Sequence, residues 1–368
     1  MKKVLFTIYS YTQGGGAERI LSDVVNNLNP NKYDITILPY ADYHAKREEI
    51  NSNVHLLSSI VDMKRAGHIE KIMKYLLVHL FPSVLRRQYI RDNYDIEISF
   101  NYQIPSFLVM GTNGAKVIQW NHGDIYDLQH NLFKRKLQER SFKRADIIVA
   151  ISENTNNSIR DVFPKYAHKI QMIYNGVNVE RILKMAQEDT DIVLKEHSIV
   201  FLGRLEEAKK PLKLLEAMRS LISKGKQINL YYLGEGEQAD EIQQKIELWG
   251  MQQQVFLLGY IKNPYPIIKQ SRAVCMLSAA EGFPTVFTEG MVLGKPFISS
   301  EVGGVKELSN GGKCGRIVYD MKECEEAIVN IVLNEEVNAE MGKACMKHIE
   351  NYSLKRQIDT IESLLETI

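Results

Sequence analysis

The sequence has few cysteines, almost no net charge and no long apolar run. Its 368 residues include only four cysteines, and these lack the paired spacing of a metal site, so we interpret them as reduced thiols of a cytosolic protein. The formal net charge is +1, so no overall field favours nucleic acid as a partner. No apolar run reaches the roughly 18 residues that a bilayer-spanning helix needs. These absences favour a globular protein in the cytoplasm.

Strand-like and helix-like segments alternate along the chain. With 368 residues, the chain is too long for one ordinary core, and two domains of roughly 150–200 residues are expected. Short β-rich runs separated by amphipathic segments are typical of parallel sheets with right-handed crossovers. The first series is VLFTIY, ITILPY, DIEISF, KVIQW and DIIVAIS, and the second is SIVFLG, INLYYLG, QVFLLG, AVCMLSA and PFISS. We therefore predict an α/β fold with two doubly wound domains.

The domain limits are predicted from polarity and periodicity. We assign 1–178 to a first domain and 198–350 to a second, with 179–197 as a linker because that segment is polar and has no clear strand. The segment 351–368 has the apolar spacing of a helix. This helix either caps the second domain or crosses back to the first.

Glycine-bearing turns follow several predicted strands, and ligands of parallel sheets collect at the carboxyl ends of strands. Gly14-Gly15-Gly16 lies between the first strand and a helix, where free N–H groups can bind a phosphate; a tight turn is the alternative. Gly234-Glu235-Gly236 also follows a strand, but Ala239 replaces the third glycine of a nicotinamide fingerprint. A simple turn is the favoured interpretation there.

A pair of cations follows the first strand of the second domain. Arg204 comes after Gly203, and Lys209 lies five residues further on. The planar guanidinium of arginine, which can make two parallel hydrogen bonds, and the point charge of a lysine ammonium can together bind a diphosphate. The alternative is a solvated pair, because Glu206 and Glu207 lie between them.

Two carboxylates flank a Gly-Phe-Pro turn. Glu281 lies at the carboxyl end of the AVCMLSA strand, and Thr285 is predicted to cap a helix that begins near Val286 and stops at Gly294. Glu289 then lies about one turn into this helix. A carboxylate that accepts two hydroxyl hydrogen bonds suits the vicinal diol of a ribose or a hexose. The alternatives are two exposed charges, or the acid/base pair of a glycosidase.

The ordered set of motifs resembles glycosyltransferase family 4, whose members are retaining enzymes with the GT-B fold, two Rossmann-like domains facing a central cleft. The resemblance runs from residue 1 to about 345. It rests on Gly14-Gly15-Gly16-Ala17-Glu18-Arg19, Gly203-Arg204 with Lys209, Gly234-x-Gly236, Glu281-Gly282-Phe283-Pro284 with Glu289, Gly294-Lys295-Pro296, and Gly303-Gly304-Val305-x-Glu307.

The resemblance implies roles for matching positions. The residues that it implies for catalysis are His122, Arg204, Lys209 and Glu281, with His122 beside the transferred sugar. Those that it implies for binding the nucleotide sugar are Gly15, Gly16, Arg204, Lys209, Gly234, Tyr260, Ile261, Glu281, Gly282, Phe283, Pro284, Thr285, Val286 and Glu289. Ser152 and Asn175-Gly176 match less specific positions of the family.

The sequence departs from the family in two places. Gly290 follows Glu289 where the family commonly has alanine, and Asn178 stands where it often has aspartate. Neither position belongs to the implied phosphate clamp, so they bear on local packing.

The implied activity is transfer, with retention, of a hexosyl or N-acetylhexosaminyl group from a nucleotide-diphosphate sugar. We favour UDP over GDP as the nucleotide, and a glycan or lipid-linked glycan of a surface polysaccharide such as a capsule as the acceptor. No metal is expected: Asp189-Thr190-Asp191 resembles a metal motif of another glycosyltransferase fold, but no strand precedes it. The alternatives are a nucleotide-sugar 2-epimerase and a non-catalytic sugar-binding subunit. The latter should lack Glu281, Glu289, Arg204 or Lys209, and all four are present.

Two basic segments lie in the first domain. Residues 61–91 contain seven Lys or Arg against two acidic residues, and 134–144 contain six against one. Basic amphipathic helices can rest on anionic membranes, which would suit a lipid-linked acceptor at the inner face of the cell membrane. The alternative is an ordinary solvated helix face.

Overall fold

The computed structural model describes residues 1–12, 15–45, 48–111 and 114–368. The chain forms two compact units. Unit 1 comprises Met1–Gly176 and Leu354–Ile368, and unit 2 comprises Val177–Ser353. No helix in the described ranges is long and apolar enough to cross a membrane.

The strands and helices alternate as the sequence predicts. Across the described residues the strands are β1 Lys2–Ser10, β2 Tyr33–Asp42, β3 Val54–Leu56, β4 Val61–Asp62, β5 Ile96–Ser99, β6 Lys116–Asn121, β7 Ile147–Ala150, β8 Ile170–Met172, β9 Ser198–Leu202, β10 Asn229–Leu233, β11 Val255–Leu257, β12 Ala273–Met276, β13 Phe297–Ser299 and β14 Gly315–Ile317. The helices are α1 Gly16–Asn27, α2 His68–Leu80, α3 Pro82–Tyr89, α4 Ile104–Leu108, α5 Leu132–Arg144, α6 Glu153–Val162, α7 Val179–Met185, α8 Pro211–Ser223, α9 Ala239–Leu248, α10 Tyr265–Gln270, α11 Thr285–Val292, α12 Val305–Ser309, α13 Met321–Leu333, α14 Glu335–His348 and α15 Leu354–Thr367.

Unit 1 is built on a parallel sheet with strand order β3-β2-β1-β5-β6-β7-β8, and β4 pairs with the far end of β2. Val4–Ile8 of β1 are all buried, as expected for a parallel strand covered on both faces. One apolar cluster includes Leu5, Val78 and Phe107, and a second includes Val117 and Phe142. The strand order reverses between β1 and β5, where such sheets bind ligands.

Unit 2 repeats this plan with a parallel sheet in the order β11-β10-β9-β12-β13-β14. This is the order of a doubly wound dinucleotide-binding sheet. Its central strands are buried apolar runs, SIVFL in β9 and AVCM in β12. All four cysteines, Cys275, Cys314, Cys324 and Cys345, lie in this unit, buried and free. The predicted α/β doubly wound class is confirmed in both units.

Four short strands escaped prediction, whereas β11 and β13, which are equally short, were predicted because they belong to longer apolar runs. The segments β3, β4, β8 and β14 have only two or three residues each, too few to show a period. The predicted linker 179–197 is also different in the structure: it belongs to unit 2 and contains α7, which packs against α10 and α11.

The last helix, α15, belongs to unit 1. Its apolar face includes Ile361 and Leu365, both fully buried, and it packs against α1. Lys2 Nζ donates to the Leu365 carbonyl at 2.6 Å. Gly176 approaches this helix so closely that a Cβ there would lie 2.7 Å from Leu354 Cα. Packing against α15 therefore accounts for a glycine at 176.

Candidate active site

The candidate site in unit 2 lies where its strand order reverses. The loop after β9 carries Arg204 and Lys209, and the loop after the neighbouring strand β12 carries Glu281. A backbone hydrogen bond from Ala279 N to Ala208 O, 2.8 Å long, ties the two loops together. The fold thus places three of the four groups to which the resemblance gives catalytic roles on two neighbouring loops at one end of the sheet.

Lys209 and Glu281 form an ion pair. Lys209 Nζ lies 2.5 Å from Glu281 Oε1, and the two side chains are only 21% and 13% exposed. Ser278 Oγ donates to the same oxygen at 2.8 Å. The Ser278 carbonyl in turn accepts from Ser300 Oγ, at the end of β13. Neither charge is simply solvated, so the structure contradicts the solvated-pair alternative for Lys209.

Arg204 is held more loosely. Its side chain is 73% exposed and contacts Glu206, with Nη1 at 3.0 Å from Oε2. An exposed ion pair of this kind contributes little to stability. The guanidinium is therefore available to a ligand anion that outcompetes Glu206.

Glycines let the loops after β9 and β10 approach closely. A Cβ at Gly234 would lie 1.9 Å from the Gly203 carbonyl oxygen, and one at Gly236 would lie 2.3 Å from that of Leu205. Gly234 also has φ of +149° and donates its N–H to Gly259 O at 2.8 Å. The packing of the protein itself therefore requires Gly234, whatever its role toward a ligand.

The predicted base-binding residues lie at the same edge of the sheet. Gly259, Tyr260 and Ile261 follow β11, and Tyr260 is 58% exposed. An exposed aromatic ring at the carboxyl end of a strand is free to stack on a planar group.

The glycine pair Gly303-Gly304 packs closely against the turn from Glu281 to Pro284. Cβ atoms at Gly303 and Gly304 would lie 2.5 Å from the Glu281 carbonyl oxygen and 2.2 Å from the Phe283 ring. Phe283 is buried, with its ring centroid 5.6 Å from that of Tyr352. Phe283 is thus an anchor of the turn, and Gly282 is the more exposed of the two residues.

The helix after this turn starts one residue earlier than predicted. It begins at Thr285, with Pro284 at the N-cap position and no side-chain cap, so the predicted capping role of Thr285 is wrong. Pro284 has a fixed φ and no N–H, which suits the residue that leads into a helix. The N–H groups of Thr285 and Val286 lie in the first turn, where helices leave donors without partners inside the helix. The predicted stop is confirmed, since Gly294 has φ of +67° just beyond the helix.

Glu289 is buried in α11, with 4% of its surface exposed. The alternative of a solvent-exposed helix residue is therefore contradicted. The next residue, Gly290, faces β12: a Cβ there would lie 2.8 Å from Val274 Cγ2. The departure from alanine at 290 thus has a packing reason, because α11 lies very close to β12.

In unit 1, Gly15 and Gly16 begin α1 at the carboxyl end of β1, while Gly14 lies outside the described residues. Gly15 is the N-cap residue with φ of −89°, and its N–H donates to Glu18 Oε2 at 3.0 Å. A Cβ at Gly15 or at Gly16 would meet no described atom within 4 Å. Neither backbone strain nor packing among the described residues therefore requires glycine at 15.

His122 follows β6 in unit 1. The residue is partly exposed, but Nε2 is buried and contacts no hydrogen-bond partner among the described residues. Its ring lies 4.5 Å from that of Phe100. Burial lowers the pKa of His122 to about 3. The imidazole is therefore neutral at physiological pH.

The less specific family positions have structural roles. Ser152 caps α6, where its hydroxyl accepts from Thr155 N at 3.2 Å. Asn178 caps α7, accepting from Arg181 N at 3.0 Å. Asparagine and aspartate are about equal as N-caps, so this departure changes nothing essential. Asn175 is buried beside Gly176.

Sequence reasoning missed a cavity of about 490 Å³ in unit 1. It lies at the carboxyl ends of β1, β5 and β6, and His122 forms part of its wall. The signal that could have revealed it is the polar and aromatic run NYQ, directly after the DIEISF strand. Its lining includes Tyr9, Asn101, Tyr102, Gln103, His122 and Asp124.

The two basic segments form helices of unit 1. The first contains α2 and α3, and the second lies in α5. Burial, together with the Lys134 charge, lowers the pKa of His79, which places the end of α2 near the start of α5. We call the exposed apolar surface of these helices the α2–α5 patch; its residues are Ile69, Ile72, Met73, Tyr75, Leu76, Leu80, Phe81, Val84, Leu132 and Phe133, each at least 45% exposed. Asp189 and Asp191, by contrast, are exposed in a loop of unit 2.

Two protein-family models match the chain, one in each half. The family model described as Glycosyltransferase Family 4 matches residues 14–181, and that described as Glycosyl transferases group 1 matches 185–348. An uncharacterized glycosyltransferase of Methanocaldococcus jannaschii is 26% identical over 52% of this chain and 49% of its own length.

One further relative and one solved structure match most or all of the chain. The N-acetylgalactosamine-N,N'-diacetylbacillosaminyl-diphospho-undecaprenol 4-alpha-N-acetylgalactosaminyltransferase of Campylobacter jejuni is 24% identical over 86% of both chains. The crystal structure of HepE of Anabaena in complex with UDP and glucose superposes with a TM-score of 0.75 at 18% identity, covering all of both chains. With the family models matching both halves and the fold shared throughout, the chain belongs to glycosyltransferase family 4 and has the GT-B fold.

Proposed function

We propose that this glycosyltransferase transfers a hexosyl or N-acetylhexosaminyl group from a UDP-sugar, with retention, to a glycan or lipid-linked glycan. The observation that carries the proposal is the convergence in unit 2 of Arg204, Lys209 and the Glu281 turn at the point where the strand order reverses. A doubly wound sheet binds nucleotides at that point.

The proposed chemistry is the departure of a nucleoside diphosphate. The C1–O bond of the donor sugar breaks with its electron pair going to the β-phosphate, and the acceptor oxygen forms the new bond to C1. The acceptor hydroxyl attacks from the face that the phosphate leaves, and its proton passes to a phosphate oxygen. Charge therefore develops on the leaving diphosphate, where Arg204, Lys209 and the N–H groups at the start of α11 would stabilise it.

Glu281 and Glu289 would bind the two sugars of the donor. In this proposal the Glu281 carboxylate accepts hydrogen bonds from hydroxyls of the transferred sugar, and Lys209 and Ser278 orient that carboxylate. Glu289 binds the ribose hydroxyls, and Tyr260 stacks on the base. His122 of unit 1 would accept or donate one hydrogen bond to the transferred sugar in its neutral form.

The two cations and the helix start supply positive charge without a metal ion. We therefore propose metal-independent transfer. Incubation with EDTA followed by gel filtration should leave the rate of transfer unchanged, and a rate that falls and returns with added Mg²⁺ or Mn²⁺ would contradict this part of the proposal.

The donor is tested by binding and by product analysis. Calorimetric titration should show UDP bound more tightly than GDP, and a screen of UDP-sugars should identify one that is consumed only when an acceptor is present. The anomeric coupling in the NMR spectrum of the product should match that of the donor, while an inverted product would exclude retention. Release of UDP without acceptor, accompanied by a 2-epimer, would indicate an epimerase instead.

Two observations support a lipid-linked acceptor at the membrane: the name of one relative and the composition of the α2–α5 patch. The name of the Campylobacter enzyme specifies an undecaprenol-linked glycan, and the α2–α5 patch combines exposed apolar side chains with the excess of Lys and Arg in 61–91. A basic helix with an exposed apolar face suits the headgroup region of an anionic bilayer. We propose that unit 1 contacts the cytoplasmic membrane surface through this patch.

Flotation with phosphatidylglycerol vesicles tests the membrane contact. The protein should float with these vesicles at low salt, and replacement of Leu76 and Phe81 by Gln should abolish flotation. Leu248→Gln is the matched control, because Leu248 of unit 2 is 81% exposed and lies outside the patch. No flotation of the unmodified protein at low or high salt would reject the contact.

A further inference from the structure

The cavity of unit 1 is lined mainly by polar and aromatic residues. Tyr9 comes from β1, Asn101, Tyr102 and Gln103 follow β5, and Asp124 follows β6. The described lining contains no lysine or arginine. Its volume of about 490 Å³ falls in the range of small-molecule sites, roughly 300–1,000 Å³.

Amides, a carboxylate and aromatic rings together suit a sugar ring. Gln103 Nε2 donates to Asp127 Oδ2 at 3.5 Å, and Asn101 Oδ1 accepts from Tyr9 N at 3.1 Å. A sugar hydroxyl would replace the long Asp127 contact or bind the second polar group of each amide, and Asp124 accepts hydrogen bonds. Tyr9 and Tyr102 provide ring surfaces with polar tips, which pack well against amphipathic groups. A carboxylate or phosphate in the cavity would meet Asp124 without a cation in the lining, and like charges at close range repel. The lining therefore favours an uncharged ligand over an anionic one.

Gln103 has a backbone conformation that its residue type rarely adopts. Its φ is +62° and its ψ is −123°, a region outside the allowed areas for residues with a Cβ. Strained residues of this kind cluster at functional sites and persist only where their surroundings enforce them.

A buried network enforces this conformation. Gln103 N donates to Gln138 Oε1 at 2.9 Å, and Gln103 O accepts from Ser106 Oγ at 2.7 Å. Gln138 Nε2 donates to Gln119 Oε1 at 3.1 Å, and Gln119 contacts Ser141. All four supporting residues are buried to 1% exposure or less. The network thus fixes the backbone of Gln103 while its side chain lines the cavity.

We propose that this cavity binds an uncharged pyranose ring of the acceptor, and that Gln103 is held in its strained conformation to present its side-chain amide to that ring. This inference rests on the proposed function in that it assigns the acceptor to unit 1. It specifies the acceptor further: the sugar that enters the cavity is neutral, and a uronic acid or a sugar phosphate is excluded.

Binding of simple glycosides tests the proposal. Ligand-observed NMR at saturating UDP would compare methyl α-glucopyranoside and its N-acetylglucosamine analogue with methyl α-glucopyranosiduronic acid. At least one neutral glycoside should bind about tenfold more tightly than the uronic acid. Binding of neither neutral glycoside, or equal binding of the uronic acid, overturns the proposal.

Substitutions at Gln103 locate the binding and separate it from folding. Gln103→Gly and Gln103→Ala should both weaken binding of the neutral glycoside about tenfold. Only Gln103→Gly should raise the midpoint of thermal unfolding, because glycine tolerates this backbone conformation. His197→Gly, at a positive-φ residue of unit 2, is the matched control and should leave glycoside binding unchanged. Normal glycoside binding in both Gln103 variants overturns the proposal.

The same samples distinguish this inference from the proposed donor site. UDP binding measures the site of unit 2, and glycoside binding measures the cavity of unit 1. Normal UDP binding without glycoside binding rejects the cavity proposal alone, whereas glycoside binding without UDP binding rejects the donor proposal alone.

Discussion

Two cations of one loop differ in their surroundings. Lys209 is mostly buried and paired with Glu281, so its removal would leave a partly buried carboxylate without its cation. Arg204 is mostly exposed and paired only at the surface. Arg204 therefore allows a test of function that is separated from folding.

Arg204→Ala should remove most turnover and leave stability unchanged. The loss of one group that stabilises a developing oxyanion costs about 10²–10³ in kcat, while an exposed substitution shifts the free energy of unfolding by at most about 0.5 kcal/mol. Steady-state kinetics and urea unfolding measure the two effects. Arg316→Ala, at an exposed arginine of the same unit, is the control. Turnover of Arg204→Ala near that of the control would contradict the phosphate clamp.

His122 should make stability depend on pH. Burial holds its pKa at about 3, whereas a histidine of the unfolded chain has a pKa of about 6.5. As the pH falls from about 6.5 toward 3, the unfolded chain binds a proton that folded His122 does not. The free energy of unfolding then falls by up to about 1.4 kcal/mol per pH unit.

His122→Gln should reduce this slope below pH 6.5, as measured by urea unfolding at a series of pH values. His168→Gln, at an exposed histidine of unit 1, should retain the slope of the unmodified protein. An unchanged slope in His122→Gln would show that the pKa of His122 is the same in the folded and unfolded chains.

At the scale of elements, the loops of the proposed donor site depend on glycines that the packing requires. The loop after β10 lies against the loop after β9 at Gly234, and the loop that contains Gly303 and Gly304 supports the Glu281 turn. These contacts fix the loops without any regular secondary structure between them. The precision of the site therefore comes from close backbone approach.

Gly234→Ala should destabilise unit 2 by about 3 kcal/mol or more, because it adds steric overlap to an unfavourable φ. Gly225→Ala is the matched control: Gly225 also has a positive φ, but no atom lies within 4 Å of its Cβ position, so it should cost only about 1–2 kcal/mol. Urea unfolding measures both. Equal effects would mean that the contact with Gly203 is absent.

At the scale of the whole molecule, the chain does not divide into two consecutive pieces. The last helix is part of unit 1, where its backbone and side chains bond to the first residues of the chain: Lys2 reaches Leu365 O, and Asn29 N donates to Glu362 at 2.8 Å. The fold of unit 1 therefore includes both the N-terminal strand β1 and the last helix, α15.

Ile361→Ala should destabilise unit 1 by about 2–5 kcal/mol, the usual cost of such a cavity in a core, because Ile361 is fully buried. Native-state hydrogen exchange should show faster exchange in β1 and α1 but not in β9 or β12. Ser363→Ala, at an exposed position of the same helix, is the control. Faster exchange confined to unit 2 would contradict the assignment of α15 to unit 1.

The sequence alone was sufficient for the fold class and for placing Arg204, Lys209 and Glu281 at the ends of strands. Apolar runs of strand length alternating with amphipathic segments predicted both parallel sheets, since buried strands and amphipathic helices differ in period. The order of motifs placed Arg204, Lys209 and Glu281 after strands, and parallel strands bring such ends to one edge. Short strands such as β14 were missed because two or three residues outside a continuous apolar run carry no period. The N-cap was predicted at Thr285 and lies one residue earlier, at Pro284.

Only the tertiary structure decided which groups meet. Lys209 and Glu281 are 72 residues apart in the chain. The hydrophobic period of a segment predicts which of its faces is buried, but it does not identify the element that packs on that face. For the same reason the sequence could not assign α15 to unit 1 or distinguish Gly234, which packing requires, from Gly15, which it does not. The strained backbone of Gln103 was equally invisible, because its conformation is imposed by Gln138 and Ser106 and not by its own residue type.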